Sequence, residues 1–530
     1  MKQFILLATG FLFTVNAFAQ EKLPVIVPYN VYNYRDLYLD SVNRHTALKP
    51  ILHEDTSALY QTDTTKRSWF HRKLFKEHLF EFRQPDYNVF IDFLPDLQLG
   101  KSNQNKTLWL NTRGARVQAN IGKKFYFESS FFENQGMFPV YLDSFVARKR
   151  VIPGQGEVKF DPGEVPGESY DYNYVTAFLS YTPNHYLNFT LGYGTNSYGD
   201  GYRSLILSDV AFSYPYLKIT ANLGQFQYTS MWSQFMDLAT KSFGQAYEGI
   251  GYDKKWGVFH FLDWNATKKL TIGLFDAVIW PDADTSGRKR GFDWSYMNPV
   301  IFLRPAEYST GSSDNALLGM NIKYKIFSKT TVYGQIVFDE LKIKELLSSD
   351  GWWGNKWSAQ FGFRSFDLFK IPKLDLQGEF NAVRPYTYSY SNTRTNYAHY
   401  NQSLAHPMGA NFKEILAIAS YTYKRWYIRA QLNYANYGLD DPATDISYGQ
   451  DIFKNYIKRP GDYDIRFGQG VKTDFLYGQG SIAFILNPKY NLRLEASAAA
   501  RREKNSLETN QEFIFSLGLR STFRQFYYDF

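Results

Sequence analysis

The 530-residue sequence contains no cysteine. No disulfide framework can therefore support its fold, although an oxidising compartment remains compatible with it. Beyond the first 19 residues, the sequence has no apolar run that approaches the roughly 20 residues a membrane-spanning helix needs. A helical membrane protein is excluded on this ground, whereas a protein that crosses a membrane with strands is not.

Recognisable catalytic and metal-binding motifs are also missing. No Gly-x-Ser-x-Gly elbow is present, and none of the eight histidines has the spacing of a zinc protease. The glycines at 192–194 and 199–201 lack the Gly-Lys-Ser/Thr of a phosphate loop, so they indicate tight turning near a barrel rim. Asp282 and Asp284 lack the spacing of a calcium loop. We expect no enzyme, metal or cofactor, although Ser, His and acidic residues could still meet in space.

The first 19 residues have the pattern of a secretory signal peptide. Lys2 provides a positive charge, Phe4–Val15 an apolar stretch, and Ala17-Phe-Ala19 a small-residue cleavage site. A membrane anchor would need a longer apolar stretch. We therefore expect residues 1–19 to be removed, and since no cysteine follows them, we expect no lipidated N-terminus.

Aromatic residues and positive charge are abundant instead. Phe, Trp and Tyr make up 18% of the chain, and the formal net charge is +8. Aromatic rings suit membrane interfaces, and a basic surface favours acidic partners such as anionic polysaccharide or lipopolysaccharide phosphate. Lys and Arg are scattered rather than clustered, which argues against a nucleic-acid partner.

Several segments alternate between apolar and polar residues with a period of two. The clearest examples are 187–191, 332–339, 374–382, 426–434 and 492–498. In a membrane barrel, this pattern places apolar side chains toward lipid and polar ones toward a wet lumen. About eighteen such strands can be placed, and short connections alternate with long ones, as in bacterial outer-membrane barrels.

The predicted fold is therefore an all-β, transmembrane, antiparallel β-barrel of about 18 strands. The barrel covers residues 85–530. It follows a periplasmic N-terminal segment, residues 20–84, that carries one amphipathic helix at 66–81. Both ends of the barrel lie on the periplasmic side, and the long loops lie outside the cell.

The last predicted strand, 511–530, carries a conflict in its pattern. Phe513, Phe515 and Leu517 share one parity, whereas Phe526 and Phe530 share the other. An aromatic residue that closes such a segment is typical of chains handled by the barrel-insertion machinery of the outer membrane. A bulge between the two halves, or a strand that stops early, would resolve the conflict.

Charged residues in the inward-facing positions need partners, and two interpretations stay open. The residues are Asp339, Asp375, Glu379, Arg429, Arg493 and Glu495. They either form ion pairs across the lumen or line a polar path for a hydrophilic ligand. Aromatic residues in loops either stack on sugar rings or form the outer girdle, namely Trp352, Trp353, Tyr386, Tyr388 and Tyr390.

Several strings resemble a known family. The segment 199–209 followed by 214–216, together with 302–308 and 311–315, resembles the Wzi-type capsule-assembly family of outer-membrane proteins. The segments 384–388 and 404–412 are similar to its RemB-type gliding-motility branch. The resemblance, which begins at about residue 65, implies an eighteen-stranded lectin that holds exported polysaccharide on the cell surface, without enzymatic activity or an open pore. Enterobacterial members carry a periplasmic helical bundle, where this sequence shows one helix.

From these observations we expect a polysaccharide anchor in the outer membrane of a Gram-negative bacterium, which could support gliding motility. The alternatives are a passive channel for small solutes and a structural component of a gliding machinery. The residues expected to bind polysaccharide are Arg203, Arg304, Arg384, Tyr386, Tyr388 and His406. Those expected to brace loops or contact sugars are Asp200, Glu307, Asp314, Asn315 and Asn411.

Overall fold

The computed structural model describes residues 25–27, 31–53, 67–104, 106–158, 169–238, 251–284, 286–302, 314–348 and 350–530. The predicted signal peptide, Arg304 and Glu307 lie outside these residues. Among the described residues, no helix is both long and apolar enough to cross a membrane.

Eighteen antiparallel strands form a closed barrel, which confirms the predicted fold. Each strand pairs with its neighbours in sequence, and the last pairs with the first, with Arg520 opposite Asp96. The strands, β1 to β18, are Tyr87–Ser102, Thr107–Ile121, Phe125–Met137, Tyr170–Tyr181, Leu187–Gly194, Tyr214–Leu223, Phe226–Asp237, Asp253–Trp264, Leu270–Pro281, Asn315–Phe327, Thr330–Glu340, Lys356–Ser365, Leu374–Val383, Phe412–Tyr423, Trp426–Leu439, Val471–Asn487, Leu492–Lys504 and Thr509–Ser521.

Helices and short strands lie in the N-terminal region and in the connections between barrel strands. The helices, α1 to α4, are Val31–Leu39, Trp69–Phe75, Val140–Lys149 and Ile343–Ser348, with short 3-10 turns at Trp294–Met297, Leu368–Lys370 and Thr393–Thr395. Short strands lie at Val25–Val27, Leu48–Lys49, Ile51–His53, Phe80–Arg83, Ser197–Tyr198, Ala398–His399 and Gln402–Ser403. The N-terminal region thus holds two helices where the sequence predicted one. The additional helix, α1, buries Tyr38, whose hydroxyl donates to Asp200 inside the barrel.

The outer wall is apolar, as the alternation predicted. On β15, Trp426, Ile428 and Leu432 point outward and are exposed, whereas Gln431 and Asn433 point inward and are buried. The closed ladder of strands pairs the backbone N–H and C=O groups with one another, and the apolar wall faces outward, which together are what a lipid environment requires.

The final strand ends at Ser521, and residues 522–530 leave the wall. We call these nine residues the lumenal segment. The prediction of a strand over 511–530 was therefore wrong in its second half, and the parity conflict is resolved by an early stop. The lumenal segment enters the barrel, where the Tyr527 hydroxyl donates to Asp209 (2.9 Å) and the Asn433 amide donates to Asp529 (3.1 Å).

Much of the lumen is filled by a packed apolar core, whereas we expected a wet interior. The connections 195–213 and 384–411 fold inward and pack against the inner faces of β6 to β11. The core includes Leu205, Ile206, Leu207, Tyr388, Tyr397, Leu404, Met231, Phe235, Phe259, Phe261, Phe275 and Leu317. Gly199 lies within this packing and not at the rim. Its φ is +127°, and a Cβ there would come within 1.8 Å of the Gln335 amide nitrogen.

Most of the inward charges that needed partners have charged ones. Glu495 pairs with Arg493 (2.7 Å) and with Arg520 (2.5 Å), and Arg520 also reaches Asp96 (3.0 Å). Elsewhere Asp339 faces Lys356, Asp375 pairs with Arg35, Glu379 accepts from the Tyr333 hydroxyl, and Arg429 donates to Gln431. Ion pairs thus account for much of the inward charge.

Candidate functional site

Arg203 and His406 lie in a buried cluster around Glu414. A guanidinium nitrogen of Arg203 is 3.0 Å from Glu414 and 3.2 Å from Asp529, and His406 Nε2 is 2.9 Å from the other Glu414 oxygen. The side chains of Arg203, His406 and Glu414 have no exposed surface. Burial lowers the pKa of His406, and the neighbouring Glu414 offsets only part of this effect. In this arrangement Arg203 holds the lumenal segment against the wall.

The two loop tyrosines predicted to stack on sugars are also buried. The Tyr386 hydroxyl donates to the carbonyl of Ser447 (2.8 Å), and the Tyr388 hydroxyl donates to that of Leu205 (2.7 Å). Tyr386 is 1% exposed and Tyr388 0%. Neither ring offers a free face to a ligand in this structure, so their binding role stays a prediction without geometric support.

Four of the polar residues expected to brace loops or contact sugars are engaged with protein groups. Asp314 pairs with Arg290 (2.7 Å), and the Asn315 amide donates to the carbonyl of Thr395 (2.9 Å). Asp200 accepts from Asn321 (3.0 Å), and the Asn411 amide donates to the carbonyl of Gly438 (3.0 Å). These contacts tie loops to strands and to one another, which is the geometry that bracing requires.

Arg384 differs from these residues because its side chain lines an open groove at the long-loop end. The groove has a volume of about 520 Å³ and lies between the loops 341–355 and 440–470. We call it the rim groove. Its lining residues are Glu345, Leu346, Asp350, Gly351, Trp352, Asn355, Trp357, Arg384, Lys413, Asp464, Ile465, Arg466 and Phe467.

Three adjacent strands place the groove on the outer side of the rim. Trp357 lies four residues from outward-facing Phe361, Arg384 four from outward-facing Phe380, and Lys413 two residues before outward-facing Ile415. The Arg384 backbone N–H also donates to the carbonyl of Trp357 (3.0 Å), which continues the ladder between β12 and β13. Because side chains alternate along a strand, Trp357 and Arg384 share the outer face.

The groove combines cations with aromatic rings. Arg384 Nη2 donates to the carbonyls of Trp352 (3.3 Å) and Ile465 (3.2 Å), which fixes the guanidinium between the two loops. The Lys413 ammonium lies 4.9 Å from the centre of the Phe467 ring, and that ring meets Trp357 edge to face at 5.7 Å. Within the described residues, neither cation forms an ion pair with a carboxylate.

Partial burial lowers the pKa of Arg384, because desolvation disfavours a charged guanidinium. An arginine nevertheless stays protonated in proteins. The groove therefore presents Arg384 and Lys413 beside three aromatic side chains. Its third cation, Arg466, pairs with Asp464, and Glu345 and Asp350 also line the groove. Such a set can bind a carboxylate or phosphate while a sugar ring stacks on the indole or phenyl face.

The sequence analysis missed Lys413, Trp357 and Phe467. The outward parity of Lys413 and Trp357 can be read from the strand pattern, but Phe467 lies in a long loop whose path no local pattern reveals. Within the described ranges, no group of three His, Asp or Glu residues could hold a metal ion.

No protein-family model matches the chain, and no curated protein matches it. Its fold is similar to that of Wzi, an outer-membrane protein involved in group 1 capsule assembly in Escherichia coli and a carbohydrate-binding β-barrel. The TM-score is 0.55 at 14% identity, over 94% of this chain and 99% of that one. Two barrels of Pseudomonas aeruginosa match less well. OprD has a TM-score of 0.43 at 10% identity, over 81% of this chain and 94% of its own. Vanillate-bound OpdK has a TM-score of 0.44 at 7% identity, over 81% of this chain and 98% of its own. The similarity to Wzi shows a shared fold. The RemB-type assignment stays a prediction.

Proposed function

We propose that this protein is an outer-membrane lectin of a Gram-negative bacterium that holds an acidic capsular or exopolysaccharide on the cell surface at the rim groove. The observation that carries the proposal is the placement of Arg384 and Lys413, without carboxylate partners among the described residues, beside Trp352, Trp357 and Phe467. An acidic sugar would pair with the cations and stack on a ring.

Two further features support this proposal. The net charge of +8 favours acidic partners over long range. The fold is shared with a barrel described as carbohydrate-binding, although at this identity the similarity concerns the fold. Any support of gliding would follow indirectly from glycan retention.

A binding measurement tests the site directly. Purified protein in detergent is titrated with a polyuronic acid, with the neutral polymer of the same backbone as reference. The double variant R384Q/K413Q should weaken binding by about 100-fold or more, since each of the two lost hydrogen bonds from a charged group contributes about 1.5–3 kcal/mol. K123A, which removes an exposed lysine from a turn at the opposite end, is the matched control. Unchanged affinity in R384Q/K413Q would exclude the rim groove.

Lipopolysaccharide is the competing ligand, because an outer rim also faces lipid headgroups. If lipopolysaccharide binds in an Arg384-dependent manner and polyuronic acid does not, the groove belongs to the lipid and the lectin proposal fails.

The cellular test measures polysaccharide kept on cells against polysaccharide shed into the medium. A deletion strain, and a strain with R384Q/K413Q, should shift polymer to the medium with the total unchanged. Normal retention together with lost motility would instead favour a structural component of a gliding machinery.

A further inference from the structure

Two cavities lie end to end along the inner face of β17. The lower one, about 350 Å³, is lined by Arg493, Glu495, Ser497 and Ala499, and the upper one, about 300 Å³, by Arg501 and Glu503. These are successive inward positions of a single strand. The interval from residue 493 to 503 covers about 33 Å of strand, which at a strand tilt of about 40° rises roughly 25 Å, the height of the apolar band of such a barrel. The cavities thus follow the wall through most of its height.

Small side chains create this space. The lower cavity is lined by Ser481, Ser497, Ala499 and Ser516 on three neighbouring strands, β16 to β18. On the opposite side, the inner faces of β6 to β11 carry large apolar residues that pack against the inward loops. The lumen therefore has a packed half and a hollow half.

The hollow half is positively charged. Arg429, Arg493, Arg520 and Arg524 line the lower cavity together with Glu495, and Asp96 on the adjoining wall also pairs with Arg520, which leaves two more arginines than carboxylates. Arg429 donates to the Gln431 amide oxygen (2.6 Å) and Arg524 to the carbonyl of Ala211 (3.2 Å). Within the described part of the chain, neither of these two arginines is paired with a carboxylate. A narrow cavity lined by arginine concentrates small anions.

The lumenal segment separates the two cavities. Tyr528 lines the lower cavity, whereas Tyr527 and Phe530 line the upper one. The end of the segment is clamped, because the Tyr141 hydroxyl donates to the Tyr528 carbonyl (2.9 Å) and the Phe530 ring packs against the Phe145 ring with their centres 4.9 Å apart.

We propose that the hollow half is a path for small anionic solutes, and that residues 526–530 are the gate that closes it. This activity is independent of glycan binding, since the rim groove lies on the outer face and shares no lining residue with either cavity. The favoured solutes carry a carboxylate. Asp529 already presents that group to Arg203 inside the barrel, which shows that the lumen accommodates a carboxylate with a hydrogen-bonded partner.

Conductance in planar bilayers tests the proposal, with full-length protein, a deletion of residues 526–530 and the full-chain variant Y141F/F530A. The full-length barrel should be closed. The deletion and, to a smaller extent, Y141F/F530A should give conductance steps, with a reversal potential in a KCl gradient that shows preference for chloride. Adding R429Q/R524Q should shift the reversal potential toward that of a non-selective path.

V337A is the matched control, because Val337 is fully buried in the packed half and its truncation should leave the barrel closed. Heat-modifiable migration on gels establishes that each variant is folded. If the deletion does not fold, Y141F/F530A decides. The proposal is overturned if Y141F/F530A folds and stays closed, or if a conducting variant prefers potassium over chloride. Polyuronic-acid binding by the same variants should be unchanged, so failure of the path would leave the rim groove untouched.

Discussion

Replacing Arg203 by methionine separates a structural role from a binding role for this residue. In the structure, its guanidinium lies between Glu414 and Asp529, with no exposed surface on its side chain. Removing it leaves two carboxylates buried near each other without their shared cation. Breaking a buried ion pair by removing one partner costs about 3–5 kcal/mol. His406, Asn381 and Asn433 still donate to Glu414, so we expect the lower end of that range.

Restoring neutrality should recover most of this loss. In the triple variant R203M/E414Q/D529N, no charge is left unpaired at the centre of the cluster, and neutral replacements of buried ion pairs are often tolerated. The comparison of single, double and triple variants forms a mutant cycle that measures the coupling between the three residues.

The assay is unfolding by guanidinium chloride in detergent micelles, followed by tryptophan fluorescence and heat-modifiable migration. The midpoint should fall for R203M and return for the triple variant. A folded R203M barrel of unchanged stability that no longer binds polyuronic acid would refute this reasoning, and would restore Arg203 as a polysaccharide-binding residue.

Three other outcomes follow from the structure. The F530A variant should still insert into membranes, because the last strand ends before residue 530. The F515R variant places an arginine on the lipid-facing side of β18, which should cost about 2–4 kcal/mol of stability near the bilayer centre. The membrane-inserted fraction of each variant distinguishes the two outcomes. The G199A variant should lower the stability of the barrel by more than about 1 kcal/mol, since both the φ of residue 199 and its surroundings exclude a Cβ. The G224A variant should lose less stability, because residue 224 is also at positive φ but a Cβ there would meet nothing within 4 Å. Denaturant midpoints compare the two variants. Folding lowers the pKa of His406, so the unfolded chain binds a proton at this residue more readily than the folded protein does. The stability that neutral His406 contributes is therefore present above the unfolded pKa and falls as the pH drops below about 6.5. The H406Q variant should flatten this part of the pH–stability curve, which denaturant midpoints measured at several pH values would show.

The sequence was most informative where the lumen is polar. The clearest alternation lay at 374–382, 426–434 and 492–498, where lipid meets one face of the strand and polar groups the other. Along β9 the inner face packs against the apolar core, so both faces are apolar over a short stretch and the period of two fades, as in Ala277–Trp280.

The expected site residues illustrate what a sequence alone conceals. Arg203 and His406 have the chemistry of anion binding, but their partner Glu414 is 211 residues from Arg203 in the chain, and Asp529 is 326 residues away. No local pattern indicates that two loops and the lumenal segment converge on one carboxylate. Arg384 was identifiable as a loop cation, whereas its accessibility depended on where two long loops end.

The inward loops also bear on how the protein survives damage at the cell surface. Each loop is held by its flanking strands and by the apolar core that it shares with the wall. A protease that cuts within an exposed part of such a loop would leave both pieces seated, because neither can withdraw without exposing that core to water. A barrel of this kind can be nicked and still remain closed.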